Sequence, residues 1–511
     1  MRVAIIGGGP AGLSAARELL AAGIDCALFD RQTALGGRWS RGEHGLCHDS
    51  LTANVSKELL AFSDFPMDAA LPQFPSRAQI LAYLRAYAAH HGVERVARLG
   101  YEIESLTPTS PNSRLTRWRL RARHRHDGGL IDEYFDAALV CTGAYATPRW
   151  PSPTVAQLAE QPSLRERILH AKDYRAPEPF AGERVLVVGS SASGCDIAAE
   201  LSHAAASVTL AVRSPFWLLD RFDAAGRPRD HALTRLNYLL PAFLRERVAR
   251  RLLGREQAAL AKHGLPTPRA RVDQTRVVQS TRLREAIVEG RVGVRPSLRT
   301  IETSAAGLIA TFFDGSRLEV DRVLCCTGYD PDPLPWLHAS ARPSASPEGH
   351  VGLLRHMVSP RYPSLAFIGH VQVTGPVFPV MEMQARWIAA SWSRPSAGLE
   401  AEVAKPWHRH DQAAFARTAS PEPWVDSPIP RVHYLGYLDS LAANIGCRPR
   451  VLGRLLTRPV QGWRLLTGPA SAAMYRLDGR GRLPGEAQRM LTRAKVDARP
   501  QPRAAARLAE G

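Results

Sequence analysis

Val3-Ala4-Ile5-Ile6-Gly7-Gly8-Gly9-Pro10-Ala11-Gly12-Leu13-Ser14-Ala15-Ala16-Arg17-Glu18-Leu19-Leu20 stands at the start of the chain and decides how the rest is read. An aliphatic run enters a cluster of glycines and leaves it with helical spacing of apolar residues, which predicts strand, tight turn and helix. The glycines fit G-x-G-x-x-G at Gly7, Gly9 and Gly12. One serves the turn, one lets a pyrophosphate approach the backbone, and one lets the helix pack on the sheet. The helix start, with Pro10 and Ala11, offers free amides to phosphates. A second strand, Cys26-Ala27-Leu28-Phe29, ends at Asp30. That acid lies about twenty residues beyond the glycines, where the ribose hydroxyls of an adenosine need an acceptor. A purely structural glycine turn would not require the acid.

Bulk properties narrow the class. A chain of 511 residues exceeds one ordinary core, so two or three domains are expected. Its 66 basic and 48 acidic residues give a net charge of +18. Only Lys57, Lys172, Lys262, Lys405 and Lys495 are lysines, so the excess is arginine spread over the whole length, Arg493, Arg499, Arg503 and Arg507 of the tail included. No groove-reading helix or aromatic platform accompanies the charge, which argues against nucleic acid and for a solvated arginine-rich surface. The seven cysteines form no C-x-x-C pair, which points to a reduced compartment and gives no metal site. The first strand starts at once with no leader before Val3, so a cytoplasmic protein is expected. No membrane span is expected either: even Leu365 to Val380 is interrupted by His370, Gln372, Gly375 and Pro376.

Further along, Gly36-Gly37-Arg38-Trp39 lets the backbone pass close to something flat or charged. Leu51-Thr52-Ala53-Asn54-Val55-Ser56-Lys57-Glu58 is a polar segment centred on Asn54, whose alternative role is to cap a short helix over Lys57 to Ala61. Ser76 and Gln79 form a capping box ahead of an amphipathic helix that Gly92 ends. Trp118 and Leu120 alternate with arginines, and Asp127-Gly128-Gly129 turns the chain into a hairpin. The hairpin leads to Asp136-Ala137-Ala138-Leu139-Val140-Cys141-Thr142-Gly143, and a second hairpin at Asp314-Gly315 leads to the parallel octapeptide Asp321-Arg322-Val323-Leu324-Cys325-Cys326-Thr327-Gly328.

Between these copies lies a second strand-turn-helix, Val185 to Val188, Gly189-Ser190-Ser191-Ala192-Ser193-Gly194, then Cys195 to Leu201. Its loop reads G-x-S-x-x-G, with Ser191 in place of the middle glycine and adding a hydroxyl for phosphate; Ser193, Cys195 and Asp196 lie in the helix turn that would meet the phosphates. The following strand, Ser207 to Val212, ends in Arg213 where the first module has Asp30. An acid suits a free 2′-hydroxyl and an arginine a 2′-phosphate, so NADPH is expected here. Residues 214–282 form a basic, partly helical insertion with Leu239, Leu240, Phe243, Leu244, Val248, Leu252 and Leu253 as its apolar face. Packing against the second module is the expected use of that face, a lid or membrane-surface contact the alternative.

The fold class expected is α/β, with two Rossmann-like dinucleotide-binding domains and an irregular C-terminal tail. Residues 1–160 are expected to be the first part of the first dinucleotide domain, 161–325 the inserted NADPH domain, 326–400 the second part of the first domain and 401–511 an extension. Periodicity weakens from Pro395, and the composition beyond Val496 is that of a disordered segment.

Together these motifs resemble the flavin-containing monooxygenases, the class B single-component flavoproteins. The resemblance runs from Arg2 to about Leu483. Gly7 to Gly12 is similar to the family's FAD loop, Gly36 to Trp39 to its G-G-x-W segment, and Gly189 to Gly194 to its NADPH loop. Leu51 to Pro66 is similar to its Asn-centred active-site segment, Thr327-Gly328-Tyr329 to its A-T-G-Y linker, and Glu382 to Trp387 to its E-x-Q-A-R-W helix. The fingerprint F-x-G-x-x-x-H-x-x-x-F/Y survives at His170 and Tyr174, but Leu164 and Glu166 replace its Phe and Gly. Related Baeyer-Villiger enzymes usually end that motif in Trp, so Tyr174 favours heteroatom oxygenation.

The resemblance implies that NADPH reduces FAD and that a C4a-hydroperoxyflavin passes oxygen from O2 to a soft nitrogen or sulfur nucleophile. It places Asn54 beside flavin and nicotinamide, where a non-titrating amide suits the chemistry. His170 is read as structural, joining the modules with Tyr174. The expected partners are a small-molecule nucleophile and O2; a homodimer is allowed. The alternatives are a Baeyer-Villiger oxygenase on ketones, a flavin electron-transfer reductase, and a non-enzymatic flavin binder, against which the intact Asn54 segment argues. No paired cysteines exist for a disulfide reductase. The sequence does not name the substrate.

Overall fold

The computed structural model describes residues 1–41, 45–113, 116–143, 145, 147–272, 275–304, 307–330, 333–343, 352–393 and 430–496. The tail arginines Arg499, Arg503 and Arg507, the stretch 394–429 and the composition-based reading beyond Val496 lie outside the described residues.

Strand Arg2–Ile6 is buried from Val3 onward and pairs in parallel on both edges, Ile6 opposite Phe29 and Val140. A strand flanked on both sides inside a parallel sheet meets no solvent face, which is why it is continuously aliphatic rather than alternating. The sheet order is Leu365–Phe367, Ala137–Val140, Arg2–Ile6, Asp25–Asp30, Ala97–Leu99, all parallel. The second sheet runs Val292–Pro296, Ser207–Val212, Arg184–Val188, Arg322–Cys325, Ile168–His170, again parallel.

Each sheet carries a three-stranded antiparallel layer that leads into its octapeptide. In the first, Trp118–His124 alternates buried Trp118, Leu120 and Ala122 with exposed Arg119, Arg121 and Arg123, as the sequence pattern predicts. Gly128 closes the hairpin with φ of 74°. In the second, Gly307–Phe312 pairs with Arg317–Val320. The octapeptides share a hydrogen bond at their starts: the Arg2 amide donates to Asp136 Oδ2 at 2.7 Å and the Arg184 amide to Asp321 Oδ2 at 2.8 Å.

The chain crosses between the sheets twice, and the crossings pair with each other. Thr147–Pro148 runs antiparallel to Tyr329–Asp330, and Arg149 holds Asp330 at 2.6 Å. Helix Pro153–Glu160 already packs Val155 and Ala159 into the apolar cluster of the second sheet, so the crossing precedes residue 160.

Helix Arg77–His90 begins with the capping box Ser76–Gln79 and is followed by Gly92 in the left-handed region. The short helix Lys57–Leu60 is capped at Ser56, not at Asn54, which removes capping as the reason for Asn54. The insertion departs from expectation. Phe216, Leu218, Leu260, Leu265 and Val278 join the core of the second module, whereas Leu239, Phe243 and Leu252 are 69%, 73% and 65% exposed. The apolar face read from the sequence is therefore solvent-facing in this chain, and other residues of the same insertion do the packing.

Residues 430–496 are more helical than their weak periodicity predicts. Tyr434–Asn444 lies on helix Phe378–Trp392, where Gln384 Nε2 donates to Tyr437 Oη at 2.9 Å. Among the described residues no helix is long and apolar enough to cross a membrane.

Candidate active site

The first loop is built so that no side chain fits inside it. A Cβ on Gly7, at φ of 112°, would meet the Cys141 carbonyl oxygen at 2.4 Å, and one on Gly12 would meet the Gly7 oxygen at 1.8 Å. Gly36 and Gly37 pass close to this loop itself: the Gly36 amide donates to the Gly8 oxygen at 3.0 Å, and a Cβ on Gly37 would lie 2.7 Å from Gly9 Cα. Gly9 caps helix Pro10–Ala21 with no side-chain bond and no acid follows in the first turn, leaving the Ala11 and Gly12 amides for an anion. Asp30 is buried behind Gly8, accepting from the Gly8 and Gln32 amides. A carboxylate is acceptor-only, which is what a ribose diol requires. Glycine cradle, open helix start and acid fit a flavin adenine dinucleotide. Arg38 lies over the Tyr145 ring at 5.3 Å, and Trp39 packs edge-on to Phe378 at 6.2 Å.

The second loop repeats this geometry. A Cβ on Gly189, φ 108°, would meet the Cys326 oxygen at 2.5 Å, and one on Gly194 the Gly189 oxygen at 1.9 Å. Ser191 caps helix Ala192–Leu201 in extended conformation, again with no side-chain cap and no first-turn acid. Ser193 is the second residue of that helix. Cys195 is buried and Asp196 half-buried; the Asp196 carboxylate faces Arg221 at 3.9 Å, and desolvation raises its pKa against the pull of Arg221 and His48.

Register corrects the placement of Arg213. The Gly7 amide bonds the Phe29 oxygen and the Gly189 amide the Ala211 oxygen, so Asp30 corresponds to the buried Val212 and Arg213 lies one position beyond. Both strands have six residues, Asp25–Asp30 and Ser207–Val212, so the acid is the last residue of its strand whereas the arginine stands just past the end of its own. The consequence for charge is the same: the carboxylate has become an apolar side chain and an exposed arginine follows it.

Asn54 lies in a segment pinned on both flanks. Thr52 bridges to Ser76 and receives Arg221 Nη1, while the Ser56 amide donates to Asp230 Oδ2 at 2.6 Å. Phe222 stacks edge-on against Phe74 at 5.3 Å. The insertion thus holds the Asn54 segment, and the Asn54 side chain itself is exposed with no hydrogen bond among the described residues. Val55, next to it, packs against the first module's core.

His170 is a joint. It is fully buried, its Nδ1 accepts the Lys172 amide at 3.2 Å, and its Nε2–H therefore donates to the Gly328 oxygen at 3.1 Å. Burial lowers its pKa to about 4, so the ring stays neutral. Tyr174 donates to Glu200 Oε2 at 2.8 Å and packs against His48 of the first module. Sequence reasoning singled out neither His48, Arg221 nor Asp230, because their partners lie far away in the chain.

Two dinucleotide modules, one nested within the other and joined by paired crossings, define a two-nucleotide flavoprotein oxidoreductase. A family profile described as "Flavin-binding monooxygenase-like" matches residues 1–507. Flavin-containing monooxygenase 5 of Cavia porcellus is 29% identical over 510 residues, covering 96% of this chain and 91% of the relative. Flavin-containing monooxygenase 3 of Canis lupus familiaris is 30% identical over 509 residues, with the same coverage of 96% and 91%. Among solved structures, S-allyl-L-cysteine S-oxygenase from Allium sativum superposes with a TM-score of 0.61 at 22% identity, covering 97% of this chain and 98% of that one. The closed form of cyclohexanone monooxygenase gives 0.61 at 17% identity, covering 90% and 98%. The chain belongs to the flavin-binding monooxygenase-like family. It is a flavin-dependent monooxygenase working with FAD and NADPH.

Proposed function

We propose that this enzyme transfers one oxygen atom of O2 to a soft nitrogen or sulfur atom of a small molecule. NADPH, a proton, O2 and the nucleophile give NADP⁺, water and the N- or S-oxide. Bound FAD supplies the redox and dioxygen chemistry. Gly7, Gly9, Gly12 and Gly37 admit its pyrophosphate, Asp30 its ribose, and Gly189, Ser191, Gly194 and Arg213 the NADPH. We assign residues up to the crossing at Thr147–Pro148, and again from Tyr329–Asp330, to the FAD half, and the second sheet with its insertion to the NADPH half. The observation that carries the reading is Asn54: an exposed amide with no hydrogen bond among the described residues, on a segment held at Thr52 and Ser56. Such a group is placed to hydrogen-bond a reacting oxygen without titrating.

The heteroatom preference is supported by Tyr174, which ends the fingerprint, and by a relative in Rattus norvegicus named "Dimethylaniline monooxygenase [N-oxide-forming] 4", 28% identical over 507 residues. The seven unpaired, buried cysteines support a reducing compartment and hence the cytoplasm. Purified enzyme with NADPH is offered methyl p-tolyl sulfide, N,N-dimethylaniline and cyclohexanone in parallel. Sulfoxide or N-oxide as the dominant product is expected. Lactone from the ketone, with neither oxide formed, would overturn the assignment.

A further inference from the structure

The insertion returns to the second module through strand Val277–Gln279, which pairs in parallel with Trp217–Leu219. The Trp217 amide donates to the Arg276 oxygen at 2.9 Å and fixes the backbone there. From that point the Arg276 side chain reaches the nucleotide loop. Nη1 donates to Ser191 Oγ at 2.9 Å, and Nη2 donates to Ser190 Oγ and to the Ser214 oxygen, each at 3.2 Å. The guanidinium lies over the Phe216 ring at 5.6 Å. Ser190 and Ser191 are the two residues after Gly189, and Ser214 directly follows Arg213. The guanidinium therefore spans the gap between the loop and the end of the strand that bears Arg213.

The same corner of the first module holds Asp30, bonded to the Gly8 amide. Gly8 and Ser190 are equivalent, each following the first loop glycine, so the two modules present opposite charges at one position of the fold. The acid suits the neutral diol of an adenosine ribose, whereas a planar guanidinium suits a phosphate bidentately. Burial and then the neighbouring Arg213 and Arg431 lower the Arg276 pKa from its usual value, which places three cations around this corner.

We propose that Arg276 is a second ligand of the cofactor's 2′-phosphate, acting with Arg213, and that the hydroxyls of Ser190 and Ser191 hold its guanidinium in position. The proposal rests on the reading of the second loop as the NADPH site and adds to it a specificity-determining residue delivered by the insertion. The pyrophosphate keeps its own partners, the amides at the start of helix Ala192–Leu201.

Isothermal titration of the FAD-loaded enzyme with NADP⁺ and with NAD⁺ tests this without turnover. The wild type should prefer NADP⁺. Arg276→Gln should weaken NADP⁺ by about tenfold or more and NAD⁺ by less than about twofold, the signature of a lost phosphate contact. Arg276→Lys, which keeps the charge but not the fork, should recover part of the loss. Equal weakening of both nucleotides would overturn the proposal, since it would mean that Arg276 only shapes the loop. Preference abolished by Arg213→Gln but intact in Arg276→Gln would overturn this assignment while leaving the NADPH reading standing. A wild-type enzyme that binds NAD⁺ as tightly as NADP⁺ would remove the NADPH reading first, and this proposal with it.

Discussion

Arg476→Met lowers the stability of the chain by about 3–5 kcal/mol, because it takes the shared cation out of a buried cluster of carboxylates. Arg476 is 1% exposed. Its Nη2 reaches Glu18 at 2.6 Å, Glu382 at 2.8 Å and Asp64 at 3.6 Å, and its Nε donates to Ser63 Oγ at 2.6 Å. Arg17 supports the cluster from the first helix, pairing with Glu18 at 2.9 Å and with Asp64. One guanidinium from the C-terminal extension thus ties together the helix that follows the first nucleotide loop, the loop beyond the Asn54 segment, and helix Phe378–Trp392. Thermal melts followed by tryptophan fluorescence and by FAD release should shift down together. A melt at the wild-type temperature would contradict the role given to the cluster.

The cluster also sets an acid limit. Burial alone would raise Glu18, but Arg476 and Arg17 outweigh it and hold its pKa below the usual value. A carboxylate depressed in the folded state contributes stability above its unfolded pKa and loses it as pH falls through the folded value. The difference between wild type and Arg476→Met should therefore be full near neutrality and shrink below about pH 4, the ordinary range of a glutamate.

Asn54→Ala should separate NADPH consumption from oxygenation. The side chain is exposed and makes no hydrogen bond among the described residues, so folding and FAD content should be kept. Product formed per NADPH should fall on the order of a hundredfold, the scale of losing one positioned hydrogen bond to a reacting oxygen, and hydrogen peroxide should take its place. Coupling equal to that of the wild type would remove Asn54 from the site.

Much of the fold is legible in the sequence because its signals are local. Val3 to Ile6 and Val185 to Val188 are continuous apolar runs ending in glycine, a pattern that a buried parallel strand before a nucleotide loop requires. The octapeptides at Asp136 and Asp321 show the duplication directly, and the structure gives the reason for their leading acids, which accept the first amide of the neighbouring strand. Asn54 is prominent only through family resemblance; its immobilised flanks depend on Arg221 and Asp230, which lie in the insertion. Arg276 and Arg476 are illegible for a different reason. Among 66 basic residues a single arginine carries no local signal, and Arg476 meets Glu18 from 458 positions away. Helical spacing likewise cannot tell a packed face from an exposed one, so Phe243 and Leu252 read as core while Leu260 does that work.

Oxygen transfer from O2 to a soft heteroatom at the expense of NADPH leaves an isotopic signature. The enzyme is supplied with FAD, a limiting amount of NADPH, excess methyl p-tolyl sulfide and ¹⁸O2, and the sulfoxide is weighed by mass spectrometry. One ¹⁸O in each sulfoxide molecule and close to one sulfoxide per NADPH are expected. NADPH oxidation that yields hydrogen peroxide and no labelled sulfoxide would contradict this transfer.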